Sequence, residues 1–259
     1  MNHTYTLPGG KVYCLYDDAL AEPHLLIAGA TGSGKSVIIN GLIYTLLHRF
    51  PSGPGGAQMI LIDPKRVELA QWKNVPHTIL YASEPDTMLS ALFRAMDICE
   101  ARYKAMQTAR VRKYEGADLY VIVDEFADLM TTQGRTVKPL AQRLAQIGRA
   151  ARVHLIIATQ TPISKVIPTE IKCNFDSRFG LRARSAQDSR NIIGRSGLEL
   201  LPRYGQAVYM TPAGDRLTKV PMIPDDAQIA MQNWWEYQRR SALYKRFHTE
   251  PLRPYEFLR

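Results

Sequence analysis

Short runs of consecutive apolar residues alternate along the chain with longer stretches in which apolar residues recur every three or four positions. The runs LLIAG, MILID, YVIVD and LIIAT are apolar at almost every position, which is typical of strands buried on both faces of a parallel sheet. This pattern predicts eight strands, which are Val12–Tyr16, His24–Ala28, Met59–Ile62, Thr78–Leu80, Tyr120–Val123, Leu155–Ala158, Ser177–Leu181 and Ala207–Met210.

Four longer stretches are predicted to be helices, because their apolar residues fall on one side of a helix. In the second stretch, six such residues are separated by alternating steps of three and four, namely Leu89, Leu92, Met96, Cys99, Tyr103 and Met106. The predicted helices are Lys35–Arg49, Pro85–Tyr114, Val137–Ala151 and Asp225–Phe247. The alternation of strands and helices predicts an α/β fold, with a mostly parallel sheet flanked by helices and a C-terminal helix and tail.

Proline and glycine mark the turns between these elements, and no turn is long enough to be a linker between domains. The segment from Pro212 to Gly214 predicts a hairpin late in the chain. We expect an N-terminal strand and lead-in over residues 1–22, one domain over residues 23–222, and a C-terminal helix and tail over residues 223–259. The tail after Glu250 is expected either to pack on its own domain or to dock on an adjacent subunit.

The composition is that of a globular protein, with 46% hydrophobic and 22% charged residues, which excludes a disordered or collagen-like chain. Three scattered cysteines are too few for a disulfide framework or a zinc site, and we expect them to be reduced residues of the core. No apolar run approaches the roughly 20 residues that cross a bilayer, and the N-terminus has no apolar signal core. We therefore expect a cytoplasmic protein without direct membrane insertion.

The chain is basic, since 33 lysines and arginines against 24 acidic residues give a formal net charge of +9. A surplus of this size favours a polyanionic partner, although basic proteins without nucleic acid also exist. The positive charge is concentrated in residues 101–113, 178–203 and 239–259.

The segment GATGSGKS at Gly29–Ser36 fits the phosphate-loop pattern G-x-x-x-x-G-K-[ST], and it joins a predicted strand to a predicted helix as this motif requires. Glycines allow backbone N–H groups to turn toward phosphate oxygens, and the helix N-terminus adds positive potential. Lys35 is expected to contact the β/γ-phosphates, and the Ser36 hydroxyl is expected to ligate Mg²⁺. The predicted nucleotide-binding residues are Thr31, Gly32, Ser33, Gly34, Lys35, Ser36 and Val37.

A second part of the site is predicted where the apolar run LYVIV ends in Asp124 and Glu125. A carboxylate at the end of a strand can hold Mg²⁺ through water, and we assign this role to Asp124. The adjacent Glu125 is placed to orient and deprotonate an attacking water, which favours hydrolysis over a passive nucleotide switch. The alternative is a strand followed by a solvated acidic turn, but the upstream phosphate loop favours a site.

A third strand, LIIAT, ends in Gln160. This side chain is expected either to sense the γ-phosphate through a hydrogen bond or to be a turn residue before Pro162. The spacing alone does not decide between these two interpretations.

Together these segments resemble the motor domain of the FtsK/SpoIIIE DNA translocases, within the FtsK–HerA group of P-loop ATPases. The resemblance runs from about Pro23 to Met222, and it rests on PHLLIAGATGSGKS, LIDPKRVEL, VIVDEFADLM, RAARVHLIIATQTP and the later DSR. The order of these segments is far more specific than the phosphate loop alone. The resemblance implies that residues 23–222 form a RecA-like P-loop core.

The resemblance also implies ATP hydrolysis with Mg²⁺, and translocation of double-stranded DNA through a homohexameric ring whose sites are each completed by the neighbouring subunit. For the arginine that acts in trans, the candidates are Arg178 and Arg149, each of which is otherwise a surface arginine. Lys65 belongs to a D-P-K segment that is expected to line the nucleotide site or to couple this site to the central channel of the ring. The residues that match the family's phosphate-loop, metal, catalytic and sensing positions are Lys35, Ser36, Asp124, Glu125 and Gln160.

Pore-facing loops of the family lie in the part of the chain that holds Arg184, Arg195 and Arg203. We expect these arginines to contact DNA phosphates without reading sequence. Ion pairs at a subunit interface, or a solvated surface, are the alternatives for each of them.

The chain departs from the family at Thr161, where arginine is usual, and at Gly205-Gln206, where a Gly-Asp pair is usual. Full-length cell-division translocases add membrane helices and a DNA-reading domain to such a motor, so we expect partner proteins to supply anchoring and orientation where these are needed. A minimal motor suits a mobile element or DNA transfer. Two other functions stay open, namely a helicase-like replication factor acting on single-stranded DNA and a partner-dependent conjugative coupling ATPase.

Overall fold

An eight-stranded sheet runs through the protein, and helices cover both of its faces. The computed structural model describes residues 6–7, 10–11, 14–50, 52 and 56–245. The strands are β1 (Thr6–Leu7), β2 (Gly10–Lys11), β3 (His24–Ala28), β4 (Ala57–Ile62), β5 (Thr78–Ala82), β6 (Asp118–Val123), β7 (Val153–Thr159), β8 (Ser177–Gly180), β9 (Gln206–Thr211) and β10 (Gly214–Lys219). The helices are α1 (Cys14–Ala21), α2 (Lys35–Arg49), α3 (Pro85–Ala109), α4 (Phe126–Ile147), α5 (Thr169–Lys172), α6 (Ala186–Ile193) and α7 (Asp225–Lys245).

The strand order across the sheet is β10-β9-β8-β3-β7-β6-β4-β5, and β1 pairs separately with β2. The strands from β8 to β5 are parallel, whereas β9 and β10 are added antiparallel at one side. The predicted mostly parallel α/β sheet is therefore confirmed. Because parallel strands end at the same edge of a sheet, the loops that follow β3, β4, β6, β7 and β8 meet there.

Side chains of the central strands alternate between two apolar cores. In β3, Leu26 and Ala28 pack with residues of α3 and α4, whereas Leu25 and Ile27 pack with residues of α1 and α2. Both faces are buried, which explains why the strand sequences are apolar at successive positions. Seven of the eight predicted strands are present, with bounds that differ by at most two residues at either end.

The predicted strand Val12–Tyr16 is wrong, because the chain from Cys14 onward forms α1, and Val12 lies outside the described residues. The buried residues of this short helix lie on one face, at Leu15, Tyr16, Ala19 and Leu20. The Tyr16 hydroxyl donates a hydrogen bond to the Pro221 carbonyl oxygen at 2.5 Å. Packing of this apolar face on α2 outweighs the local strand-like pattern.

Two predicted helices have different bounds in the structure. The helix predicted over Pro85–Tyr114 ends at Ala109, because Arg110 takes a left-handed conformation with φ of 56°. The helix predicted over Val137–Ala151 is α4, which begins at Phe126 and ends at Ile147. Phe126 and Leu129 are buried, so they extend the apolar stripe toward the N-terminus.

The C-terminal part of the described chain contains the predicted hairpin and helix. Strands β9 and β10 pair antiparallel across the turn at Pro212–Gly214, as predicted. Helix α7 packs on α2, and Trp235 meets His77 edge to face at 4.5 Å between ring centroids. The tail after Glu250 lies outside the described residues, so its docking stays a prediction.

Cys99 and Cys173 are both free thiols. Cys99 is buried, as expected, but the core prediction is wrong for Cys173, which is exposed, and the side chain of Cys14 lies outside the described part. Among the helices within residues 14–245 that the structure describes, none is long and apolar enough to span a bilayer.

The contact between α1 and α2 predicts a specific cost for enlarging Gly41. A Cβ at this position would lie 2.3 Å from the Tyr16 ring, so we expect Gly41→Ala to lower the free energy of unfolding by about 1–3 kcal/mol through overpacking. Urea denaturation measures the change.

Gly134→Ala is the matched control, because a Cβ there would meet only the Met130 Cε at 3.8 Å. We expect this variant to be neutral or stabilised, since alanine favours a helix over glycine. Equal stability of the two variants would show that Tyr16 does not pack on α2 as described.

Candidate functional site

The phosphate loop Gly29–Ser36 connects β3 to α2 and has a backbone that suits glycine at three positions. A Cβ at Gly29 would lie 2.6 Å from the Leu181 Cβ, so no side chain fits there. Gly32 and Gly34 have φ angles of 69° and 106°, in the left-handed region. The loop is therefore shaped by its own glycines and by its close approach to the end of β8.

Lys35 folds back over the loop that carries it. Its Nζ donates to the carbonyl oxygens of Gly29 and Ala30, each at 3.0 Å. Burial of the side chain lowers the pKa of Lys35 to about 8, although the charges of Glu125 and Asp124 oppose this shift. An ammonium group that has lost part of its hydration, beside a phosphate loop, is suited to an anionic ligand.

Asp124 lies at the end of β6 and is only 6% exposed. Its backbone N–H donates to the Ile62 carbonyl oxygen at 3.0 Å, which continues the pairing of β6 with β4. Burial raises the pKa of Asp124 to about 6, and the nearby Lys65 charge acts in the opposite direction. A carboxylate in this environment gains from a cation that compensates its lost hydration.

Both carboxylate oxygens of Glu125 are fixed by donors from neighbouring strand ends. Oε1 accepts hydrogen bonds from the Thr159 Oγ1 at 3.1 Å and from the Gln160 N–H at 3.0 Å. Oε2 pairs with the Lys65 Nζ at 3.1 Å. Glu125 also has a φ of 58°, a strained conformation for this residue type that is often found at functional sites.

Gln160 connects the end of β7 to the phosphate loop. Its Oε1 accepts a hydrogen bond from the Thr31 Oγ1 at 2.6 Å, while its backbone N–H binds Glu125. The residue therefore contacts both halves of the predicted site. Its role as a γ-phosphate sensor stays a prediction.

The D-P-K segment follows β4 and lines the site through Lys65. Asp63 is fully buried, and its Oδ2 accepts a hydrogen bond from the Leu69 N–H at 3.0 Å, which shapes the turn. This turn places Lys65 beside Glu125, with the Lys65 side chain 40% exposed. The site is thus built from the ends of four parallel strands.

Ser36 and Asp124 offer the hard oxygen ligands that Mg²⁺ prefers. Within the described ranges no group of three or more His, Cys, Asp or Glu residues is placed to hold a metal. Mg²⁺ is usually held by one or two protein oxygens together with substrate phosphates, so Ser36 and Asp124 are the residues that could hold it.

The two candidate trans-acting arginines lie near the start of β8 and β7, at the sheet edge opposite the phosphate loop of their own chain. The guanidinium of Arg178 donates to three carbonyl oxygens of its own chain, those of Phe175 at 2.7 Å, Ile192 at 2.9 Å and Lys172 at 3.3 Å. Arg149 is exposed on the turn between α4 and β7.

The turn that carries Arg149 is held by side chains of neighbouring elements. The Arg102 Nη1 donates to the carbonyl oxygens of Ala151 and Arg152, each at 2.9 Å. Arg152 forms an ion pair with Asp118 at the start of β6. An exposed guanidinium on a fixed turn is available to an external partner.

Two of the three predicted DNA-contacting arginines lie beside the phosphate loop, and the third lies elsewhere. Arg184 lies beside the phosphate loop, with its Nη2 3.5 Å from the Thr31 Oγ1, and Arg203 lines a cavity next to that loop. Arg195 pairs instead with Asp215 at 3.2 Å.

Sequence reasoning missed Thr159 and Arg182. Thr159 is the polar last residue of an otherwise apolar strand, which was the available signal for its contact with Glu125. Arg182 lies just after β8, and its carbonyl oxygen accepts a hydrogen bond from the Ala30 N–H at 2.8 Å. The sequence feature that could have pointed to Arg182 was the density of arginines in residues 178–203.

The parallel sheet, the glycine-shaped loop after β3 and the acidic pair after β6 define a P-loop NTPase core. The sequence model of the FtsK/SpoIIIE family matches residues 9–121 and 116–164, and the chain belongs to this family. The resemblance identified from the sequence motifs is therefore confirmed.

Two curated relatives, each named DNA translocase FtsK, come from Staphylococcus epidermidis and Clostridium acetobutylicum. The chain is 38% identical to the first over 218 residues and 41% identical to the second over 217 residues. These matches cover 76% and 78% of this chain, respectively. The chain spans only 27% and 28% of the length of these relatives.

Among solved structures, the pCW3 conjugation coupling protein TcpA, in its monomer form with ATPγS, is similar to this chain with a TM-score of 0.74. The sequence identity is 25%, and the match covers 86% of this chain and 66% of TcpA. The similarity supports the P-loop fold over nearly the whole described chain.

The charge of Lys65 is predicted to control the pKa of Asp124. Replacing Lys65 by methionine removes a positive charge that favours the ionised carboxylate, so we expect the pKa of Asp124 to rise above about 6. Titration of the carboxyl carbons by ¹³C NMR measures the shift.

The matched control is Lys73→Met, which removes an exposed lysine outside the site. We expect this variant to leave the Asp124 titration unchanged. A fall in the Asp124 pKa in Lys65→Met would contradict the electrostatic assignment.

Proposed function

We propose that this chain is an ATP-hydrolysing motor that translocates double-stranded DNA, working as a homo-oligomeric ring of six subunits in the cytoplasm. The observation that carries the proposal is the position of Glu125, which is fixed by Lys65 after β4 and by Thr159 and Gln160 at the end of β7, beside the phosphate loop. A passive nucleotide-binding loop would not need a carboxylate held in this way.

In the proposed reaction, the nucleotide is bound by the phosphate loop and the start of α2. Backbone N–H groups from Thr31 to Val37 and the Lys35 ammonium would bind the phosphates, and Ser36 and Asp124 would hold Mg²⁺. When bound, Mg²⁺ neutralises negative charge on the phosphate oxygens. The negative charge of the phosphates would compensate the lost hydration of Lys35, and the positive charge of Mg²⁺ would compensate that of Asp124.

The hydrolytic half uses Glu125 as general base. Its carboxylate would accept a proton from the water that attacks the γ-phosphorus, and the bond to the leaving ADP oxygen would break. Thr159 and Lys65 orient the carboxylate. Gln160 would sense the γ-phosphate, because it contacts both Thr31 of the phosphate loop and Glu125.

Three observations support DNA as the partner. The chain belongs to the FtsK/SpoIIIE family, its curated relatives are named DNA translocases, and its formal net charge is +9. Partner proteins would supply any anchoring or sequence orientation that the motor needs. Arg195 remains a candidate phosphate contact at the DNA, through exchange of its pairing with Asp215.

For the arginine that acts in trans, the contacts favour Arg149 over Arg178. Arg178 would have to give up three hydrogen bonds to its own chain before it could reach a neighbour. Arg149 is exposed, and the turn beneath it is already fixed. We therefore assign the neighbouring site's charge-stabilising contact to Arg149.

A conjugative coupling ATPase is the second candidate, because TcpA is similar in fold over 86% of this chain. The two proposals share the ATPase site and differ in the dependence on a partner. DNA alone would raise hydrolysis by a translocase, whereas a coupling ATPase would need its partner protein as well.

Steady-state ATP hydrolysis with and without duplex DNA tests the main proposal, on protein whose mass is measured in the same buffer. We expect duplex DNA to stimulate hydrolysis in a ring-sized species. In Glu125→Gln we expect hydrolysis to fall by at least about 100-fold, because a general base is lost, while ATP binding is retained.

Lys35→Ala is expected to lose both binding and hydrolysis, and Glu115→Gln, at an exposed position, is the control for the loss of a carboxylate. Stronger stimulation by single-stranded DNA would favour the helicase-like alternative. Undiminished turnover in Glu125→Gln would refute the role assigned to Glu125.

Mixing two inactive variants tests the trans role of Arg149. Glu125→Gln and Arg149→Ala subunits should each be inactive alone, but a mixed ring contains interfaces where an intact Glu125 meets an intact Arg149. We expect hydrolysis to recover in the mixture, measured as phosphate release per ring.

In the control mixture, Arg178→Ala subunits take the place of Arg149→Ala subunits. We expect any loss of activity in Arg178→Ala to follow from its loss of stability. Absence of recovery in the Arg149 mixture, with mixed rings verified by mass, would place Arg149 outside the neighbouring site.

A further inference from the structure

A cavity of about 410 Å³ lies beside the phosphate loop, on the side of β8. Its lining residues are Ala30, Thr31, Ser33, Arg182 and Arg203. In the strand order, β8 and β6 lie on opposite sides of β3, so this cavity is on the far side of the loop from Glu125. A nucleotide whose γ-phosphate points toward Glu125 would extend its diphosphate and nucleoside toward this cavity.

Two exposed arginines, Arg182 and Arg203, line the cavity. Among the side chains that the structure describes, in residues 15–50 and 56–235, neither Arg182 nor Arg203 forms an ion pair, whereas Arg195 and Arg216 pair with aspartates. Arg184 adds a third positive charge next to the Thr31 hydroxyl. A group of cations that repel each other at one place is stabilised by an anionic ligand.

Ser33 supplies a second, independent sign of a ligand. The residue lines the cavity and is only 2% exposed, and its buried Oγ has no hydrogen-bond partner among the described residues. A buried hydroxyl without a partner costs free energy that a ligand oxygen or N–H would recover.

Both arginines are held close to the loop backbone. The Arg182 carbonyl oxygen accepts a hydrogen bond from the Ala30 N–H at 2.8 Å, which fixes the main chain of Arg182 against the loop. The Arg203 Nη2 lies 3.7 Å from the point where a Cβ on Gly32 would be, and its guanidinium is 5.2 Å from the Tyr204 ring centroid. Tyr204 is 62% exposed, so Arg203 rests on an accessible aromatic ring.

We propose that Arg182 and Arg203 form a cis-acting clamp on the ADP part of the bound nucleotide, and that Arg203 is a nucleotide contact rather than a DNA contact. The proposal rests on the ATPase function proposed above and adds to it a second set of phosphate-binding residues. Because the clamp lies away from Glu125, it binds ADP and ATP alike and does not sense the γ-phosphate. Arg184 reinforces the local positive potential through its position beside Thr31.

Isothermal titration calorimetry of the full chain with Mg²⁺-ADP and with Mg²⁺-ATPγS tests the clamp. Arg182→Gln and Arg203→Gln should each weaken both ligands by about tenfold, the lower end of the range for a charged hydrogen bond. Affinity for a fluorescent duplex, measured by anisotropy without nucleotide, should be unchanged. Arg203→Lys should recover part of the ADP affinity, because it keeps the charge.

Arg94→Gln is the matched control, since it removes the same charge at an exposed position of α3 away from the loop. Circular dichroism melting of each variant separates lost binding from lost folding. Unchanged ADP affinity in both variants would overturn the clamp, and so would a loss confined to ATPγS or a loss confined to the duplex.

Failure of the clamp is distinguishable from failure of the proposed function. If the unmodified chain binds neither ADP nor ATPγS, the ATPase proposal fails together with the clamp. If the unmodified chain binds both ligands and Lys35→Ala abolishes that binding, the phosphate loop is functional and only the arginine variants decide on the clamp.

Discussion

The parallel register of three central strands determines where the residues of the candidate site lie. Ala28 at the end of β3 is paired with Thr159 of β7 on one side and with Gly180 of β8 on the other. The phosphate loop therefore begins between the Gln160 segment and the Arg182 segment. A slip of two residues in this register would displace them by about 7 Å, which is more than a hydrogen bond spans.

Desolvation raises the free energy of the charged groups at this edge of the sheet. Burial lowers the pKa of Lys35 to about 8 and raises that of Asp124 to about 6, so each charged form is less favourable than in water. The left-handed backbone of Glu125 is a further cost, of order 1–3 kcal/mol. Packing of the two apolar cores offsets the free-energy cost of this desolvation and of the Glu125 backbone strain. A charged ligand would lower the cost of the desolvated charges.

Much of this arrangement could be predicted from local sequence, but the contacts between distant loops could not. The glycines of the phosphate loop lie within a few residues of each other, and so do the carboxylates after β6. Their spacing in the sequence therefore identifies them. The pairing of Lys65 with Glu125 joins residues 60 positions apart and depends on strand order. The helix α1 was missed because its apolar face is defined by packing on Gly41, which no local pattern records.

Helix α4 joins two positions that would belong to different sites in the proposed ring. It begins directly after Glu125 and ends at Ile147, just before the turn that carries Arg149. Its 22 residues span about 33 Å, with a non-helical residue at Gln133 and a proline at position 139. If Arg149 serves the adjacent subunit, α4 connects the candidate general base of one site with the arginine that would complete the neighbouring site. One helix would then form part of two neighbouring sites, so a change in its bend at Gln133 would alter both.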